Sequence, residues 1–251
     1  MDNDALPGMK KPADQVVLAF NTCYQGMSLN AIRRHLQKMY NNYPSDSTVY
    51  EWIEKFTKKA VKQTINYKPE VGDVWVTNET RINIGGQEVW IWDIIDTKTR
   101  FLLASHLSTK RTISDARVLL TEAARKAEKQ PKVVITDHLA AYIDGVEFSF
   151  GAGTKHLPLK SFRTGLGTQF IERFYSTLKV RTKAMHRLKS INNAKNILQG
   201  WLVHYNYLQR HEELGDRTPA QKAGIKHIFK NWNDLFGWGT SAKIDREDDY
   251  C

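Results

Sequence analysis

Three strand-forming runs follow one another with almost no chain between them, and this limits the fold more than any other feature. They are "VWVTNETRINI" (74–84), "QEVWIWDIID" (87–96) and "FLLASHL" (101–107), rich in β-branched and aromatic residues. Gly85-Gly86 joins the first two as a two-residue hairpin signal, and "TKTR" turns the second into the third. Connections this short force antiparallel neighbours, because a parallel partner needs a crossover of a dozen or more residues. On the first run Val74, Val76, Asn78, Ile82 and Ile84 share one face, and Trp75, Glu79 and Arg81 share the other. A helix is expected from about Ser114 to Lys129, with Ala116, Leu119, Leu120, Ala123, Ala124 and Ala127 as its apolar stripe. "PKVVITD" is then a short apolar strand ending in Asp137, as expected of a central strand flanked by helices. The order β-β-β-α-β-α, with a further helix from about Gln169, predicts an α/β fold.

The first fifty or so residues after a polar start read differently. Leu29, Ile32, Leu36 and Met39 mark one helical face, with Ser28 as its cap after the Gly26 turn. Val49, Trp52, Ile53 and Phe56 mark another, for which Thr48 and Glu51 form a capping box. Three compact basic helices predict a helix-turn-helix whose third helix offers Ser47, Tyr50, Glu51 and Lys55 to a DNA major groove. "INYKPEVGD" reads as a linker, broken by Pro69 and Gly72. The expected organisation is a small all-α helix-turn-helix domain at 1–64, a linker at 65–72, the α/β domain at 73–225, and a C-terminal extension with an acidic tail at 226–251.

Lys and Arg number 37 against 27 Asp and Glu, a net charge of +10 spread along the chain, which favours a polyanionic partner. Cys23 and Cys251 form no metal-binding pair or disulfide framework, in keeping with a reducing compartment. No apolar run nears the roughly 18 residues that span a bilayer, so no membrane partner is expected. The eight histidines show no paired metal spacing; His204 and His211 are expected to pack within C-terminal helices, and Trp90, Trp92 and Trp201 to serve the core.

Two carboxylates carry the chemistry. Asp137 ends a buried strand, where open α/β sheets place reactive groups, and Glu172 follows in "TQFIERFYSTLKVRTK". On that helix Glu172 and Lys179, seven residues apart, align along one side. Arg163, Arg173, Arg181, Lys183, Arg187 and Lys189 surround them with positive charge suited to phosphate contact. "VWVTNET", "VVITDHLAAY", "FIERFYSTLK" and "HYNYLQRHEELGDRTPAQKAG" together resemble the integrase-like DDE transposases of insertion sequences, most closely insertion-sequence family six. The resemblance covers about Val74 to Gly224, and the 34 residues between Asp137 and Glu172 match the family's usual gap.

The resemblance implies a ribonuclease-H-like integrase core: a mixed sheet with flanking helices, whose acidic triad holds two Mg²⁺ ions, or Mn²⁺ in their place. It implies 3′-end cleavage of terminal inverted repeats in double-stranded DNA and strand transfer to target DNA, by a homodimer or larger synaptic assembly, in the cytoplasm and nucleoid of a prokaryote. Asp137 and Glu172 become the second and third metal ligands, and Lys179 a phosphate contact, with Arg173, Arg181 and Lys183 beside it. Two departures stand out. "GTQFIE" has Thr168 and Gln169 where the family often has asparagine, and Asn78 occupies the place of the first aspartate. A neutral amide is a poor metal bridge, so the chain is expected to be catalytically impaired. Glu79 points to the opposite face and cannot replace it. Asp93 and Asp96 lie on the next strand, within possible reach of the site, and Asp96 matches an acidic position that the family has after the second strand's apolar run, but a turn or structural role is favoured for both. An engineered exchange, decay and domestication would all leave asparagine at 78. The alternative is therefore a domesticated, non-catalytic, sequence-specific DNA-binding protein; a structure-specific nuclease is a third reading, against which the helix-turn-helix argues.

Overall fold

The computed structural model describes residues 13–136, 139–158 and 190–238. β1 (Val74–Ile84), β2 (Gln87–Asp96) and β3 (Leu102–Ser108) form the expected antiparallel meander. Gly85 and Gly86 both take positive φ (60° and 87°), as a tight hairpin between twisted strands requires. β4 (Val133–Thr136) runs parallel to β1, and β5 (Lys155–Pro158) parallel to β4, which gives a mixed five-stranded sheet in the order β3-β2-β1-β4-β5. β5 has no counterpart in the sequence reading, because four residues including a lysine and a proline carry no strand periodicity.

One sheet face is covered by α4 (Ile113–Ala127) and α5 (Ala140–Phe150). There the Thr77 hydroxyl donates to the Tyr142 hydroxyl (3.0 Å), and the rings of Trp75 and Trp92 meet Phe150 and Tyr142 edge to face. Gly145 of α5 lies so close to Ala116 of α4 that a Cβ there would overlap the alanine methyl. α6 (Ile191–Tyr207) packs beside β3. The Asn206 amide both accepts from Leu102 N and donates to Leu102 O (2.8 Å each), so a side chain satisfies the free edge of the sheet.

α1 (Ala13–Tyr24), α2 (Leu29–Tyr40) and α3 (Asp46–Thr64) form the expected helical trio, and Ser28 caps α2 through Ala31 N. The N-cap of α3 lies three residues before the expected one. Ser45, not Thr48, is its N-cap, accepting from Thr48 N, and Asp46 in the first turn complements the helix dipole.

The trio is welded to the rest of the chain. Phe20, Tyr24 and Phe56 pack against Trp232 and Phe236 of α8 (Trp232–Phe236), which follows the short α7 (Pro219–Lys222), and α3 lies along α6. Residues 65–72, read as a linker, are pinned as well. The Lys126 ammonium donates to the carbonyls of Thr64, Ile65 and Tyr67, Glu70 N donates to Ala223 O, and Tyr67 packs among Tyr207, His227 and Phe229. Pro69 and Gly72 do break regular structure, but burial of Val71 and the packing of half-buried Tyr67 fix the path. The core readings of Trp92 and Trp201 hold, both being buried, and His204 is half-buried, packed within α6 as expected. His211 packs edge to face on Tyr205. Cys23 is buried and unpaired, its thiol pushed up to about 12 by desolvation. No helix among the described residues is long and apolar enough to cross a membrane.

Two predictions follow from the weld. At Gly200 of α6 a Cβ would collide with the hydrogen-bonded Tyr24 and Thr57 hydroxyls, so Gly200→Ala is expected to destabilise by about 1–3 kcal/mol in urea unfolding although alanine is the better helix former. His204 packs against both Tyr24 and Trp232, which also touch each other, and desolvation lowers its pKa to about 4 from 6.5. The unfolded chain therefore takes up a proton that the folded chain refuses, and stability should fall as pH drops from about 6.5 to about 4, by at most about 3 kcal/mol. His204→Phe should flatten that part of the pH–stability curve.

Candidate active site

Asn78 lies half-buried in the middle of β1, on the sheet face opposite α4 and α5. Its position follows from two registers. The antiparallel pairing places it directly across from Asp93 of β2, which in turn lies across from Ser105 of β3. The parallel pairing of Val76 with Ile135 brings the carboxyl end of β4 alongside this part of β1. Asn78, Asp93 and Ser105 thus form one rung across three strands, next to the point at which the chain leaves β4.

Asp93 is 1% exposed, and the Ser105 hydroxyl donates to its Oδ1. Tyr205 of α6 is within electrostatic range of this carboxylate, which helps burial to raise the phenol's pKa. The Asn78 amide makes no hydrogen bond among the described residues. The donors at this rung are hard oxygens, a neutral amide and a carboxylate, which fit a cation such as Mg²⁺ or Mn²⁺ rather than a soft metal.

The neighbouring acids are engaged elsewhere. Glu79, on the opposite face as expected, forms a buried ion pair with Arg111, whose guanidinium lies 4.3 Å over the Trp90 ring. This clamp ties the middle of β1 to the chain entering α4. Asp96 accepts from Gly72 N through Oδ1 and from the Thr99 N–H and hydroxyl through Oδ2, the turn role expected of it. Asp93 is different: it sits mid-strand, in no turn. Thr136, the last residue of β4, shares a 2.8 Å hydrogen bond with His156 Nε2 on β5, and burial lowers the pKa of that imidazole.

Among the described residues no three His, Cys, Asp or Glu side chains converge as a metal site. Asp137 and Glu172 lie outside the described residues, as do Lys179, Arg173, Arg181 and Lys183. Of the residues expected to face DNA, Ser47 and Lys55 are exposed on α3, the former hydrogen-bonded to the Ser45 hydroxyl. Tyr50 instead turns toward α6, where its hydroxyl accepts from the Asn196 amide at 3.1 Å. The sequence reading overlooked Ser105 and Arg111. Counting register through two tight turns reaches Ser105, whereas nothing local in the sequence announces Arg111.

Residues 72–211, more than half of the chain, match the family model described as the DDE domain, of the IS240 transposase type. The chain is 21% identical over 207 residues to an uncharacterized protein of Methanocaldococcus jannaschii, covering 80% of this chain and 89% of that one. It is similar in fold to a chain of the simian T-cell lymphotropic virus intasome, with TM-score 0.50 and 13% identity over 85% of this chain and 76% of that one. The HTLV-2 integrase catalytic core, solved in complex with magnesium, superposes with TM-score 0.49 and 16% identity over 62% of this chain and 99% of that one. The mixed sheet with helices against it is the ribonuclease-H-like integrase core, and the chain belongs to the DDE transposase and integrase family.

Proposed function

We propose that the chain is built as a DNA transposase, with a two-metal centre for 3′-end cleavage and strand transfer at positions 78, 137 and 172. The observation that carries this reading is the rung itself. A DDE-family strand presents position 78 beside the carboxyl end of β4, one residue before Asp137, on the face free of α4 and α5. Asp137 and Glu172 supply the acidic oxygens, Lys179 meets a phosphate near the scissile bond, and Arg173, Arg181 and Lys183 draw the DNA backbone in. Two Mg²⁺ ions held there would activate a water or 3′-hydroxyl and stabilise the leaving oxygen. Asn78 takes one negative charge from the triad and leaves a poor bridging ligand, so catalysis is impaired in this chain.

The helical trio at 1–64 reads terminal inverted repeats through the exposed side of α3, with Ser47 and Lys55 facing DNA and Tyr50 bracing α3 on α6. Because α3 is fixed on α6 and α8, the reading helix and the reaction centre hold a constant spacing, and two copies in a synaptic assembly would set the distance between cut sites. A second reading, a domesticated DNA-binding protein without catalysis in the nucleoid of a prokaryote, is favoured by the same Asn78.

On terminal-repeat DNA with Mg²⁺ or Mn²⁺, Asn78→Asp should cut and join at least about 100-fold faster than the unaltered chain, as restoring a transition-state electrostatic partner demands. Cutting by neither form, alongside specific DNA binding by both, would favour the second reading. DNA affinity should drop by at least about 10²-fold between 50 and 200 mM salt in either form, because the contacts are mostly to phosphates.

A further inference from the structure

We propose that the acidic segment Asp245–Asp249 docks on the exposed lysine stripe of α3, so that carboxylates of the chain itself take the place of DNA phosphates on that helix. The effect on DNA rests on the reading of α3 as the DNA-facing helix, whereas the docking itself does not.

Three observations lead to it. Lys55, Lys59 and Lys62 stand at i, i+4 and i+7 and form one stripe along α3, all three exposed. Among the described residues no ion pair neutralises them, whereas Lys58 beside them is paired with Glu54 at 2.9 Å. Glu51, one turn before Lys55, brings a single negative charge to the same side, so the stripe stays positive. Like charges at these spacings repel, and an anionic ligand relieves the repulsion.

Second, the chain is delivered to this stripe. α8 ends at Gly237 (φ 68°), and the N–H groups of Gly237 and Trp238 donate back to Asp234 O and Asn233 O, an αL cap that fixes the exit from the helix. Trp238 then lies edge to face on Phe56 of α3, with ring centroids 4.8 Å apart, and 5.7 Å from the Lys59 ammonium. Third, the sequence that follows, "GTSAKIDREDDYC" (239–251), sets Asp245, Glu247, Asp248 and Asp249 against Lys243 and Arg246. Asp245 stands seven residues past Trp238, a reach of up to about 23–25 Å. Lys55 and Lys62 are only about 6 and about 4.5 Å along the helix axis from Lys59. The acidic segment is therefore long enough to cover the whole stripe. A segment tethered this closely acts at millimolar effective concentration, so weak charge pairing suffices to hold it, and salt or a denser polyanion releases it.

The test uses Cys251 as a handle. Cys23 is buried and its thiol pushed up to about 12, so a nitroxide thiol reagent attaches at Cys251. In the amide NMR spectrum at low salt, Lys55, Lys59 and Lys62 should broaden in the labelled full chain. They should recover in the same chain carrying Asp245→Asn, Glu247→Gln, Asp248→Asn and Asp249→Asn. Equal broadening in the two chains reflects the tether alone and overturns the proposal, as does broadening centred away from α3. The neutral-tail chain should also bind duplex DNA about three- to tenfold more tightly, the protection given by a tethered competitor of sub-millimolar affinity. Lys55→Gln, Lys59→Gln and Lys62→Gln together should close that difference. Excess duplex should release the label from α3. Tail-dependent broadening that survives saturating DNA supports the docking and instead removes α3 as the DNA-facing helix.

Discussion

The pairing of β1 with β2 on one side and β4 on the other is the constraint on which the rest of the structure depends. Strand side chains alternate strictly, so a slip of one residue in either register would turn Asn78 toward α5 and bring Glu79 to the opposite face. Several contacts guard against such a slip. The paired glycines set the β1–β2 hairpin, Trp75 and Thr77 lock into α5, and the Glu79–Arg111 pair, covered by Trp90, holds the strand just beyond position 78. These contacts lie on the α4–α5 face or at the hairpin, which leaves the other face to Asn78, Asp93 and Ser105.

The second consequence is mechanical. α3 is gripped by α6 along its length and by α8 at its aromatic side, while Lys126 caps its last carbonyls. Burial lowers the Lys126 pKa to about 8, a cost met by three backbone acceptors, so the join between the helical trio and the α/β core is a packed interface and not a tether. If α3 reads DNA as proposed, such a mount would deliver the strand to a fixed place relative to the sheet. The same packing explains why the exposed side of α3 is narrower than a free helix-turn-helix would give: Tyr50 is committed to Asn196.

Much of this was legible in the sequence because the relevant forces are local. Alternation in 74–84, the Gly85-Gly86 turn and the alanine-rich stripe of α4 each dictate an element from within a dozen residues, and the order of elements leaves few topologies. The anomaly at position 78 could also be read directly, since the surrounding motif defines what belongs there. What escaped was decided at a distance. β5 exists only because β4 gives its edge to four otherwise unpromising residues. Residues 65–72 look like a linker in composition, but their carbonyls are taken by a lysine some sixty residues later. Asp93 and Asp96 read alike in the sequence, and only the register sets Asp93, not Asp96, opposite Asn78.

The central claim is that a divalent cation binds on the Asn78 face of the sheet and nowhere else of consequence. Paramagnetic broadening by Mn²⁺ in the amide NMR spectrum of the full chain tests it most directly. The account predicts that the resonances of Asn78 and Asp93 broaden first, while those of Ala116 and Val146 beneath the opposite face persist. Broadening centred on any other acidic surface, such as Asp73 or Asp144, with Asn78 and Asp93 spared, would contradict it.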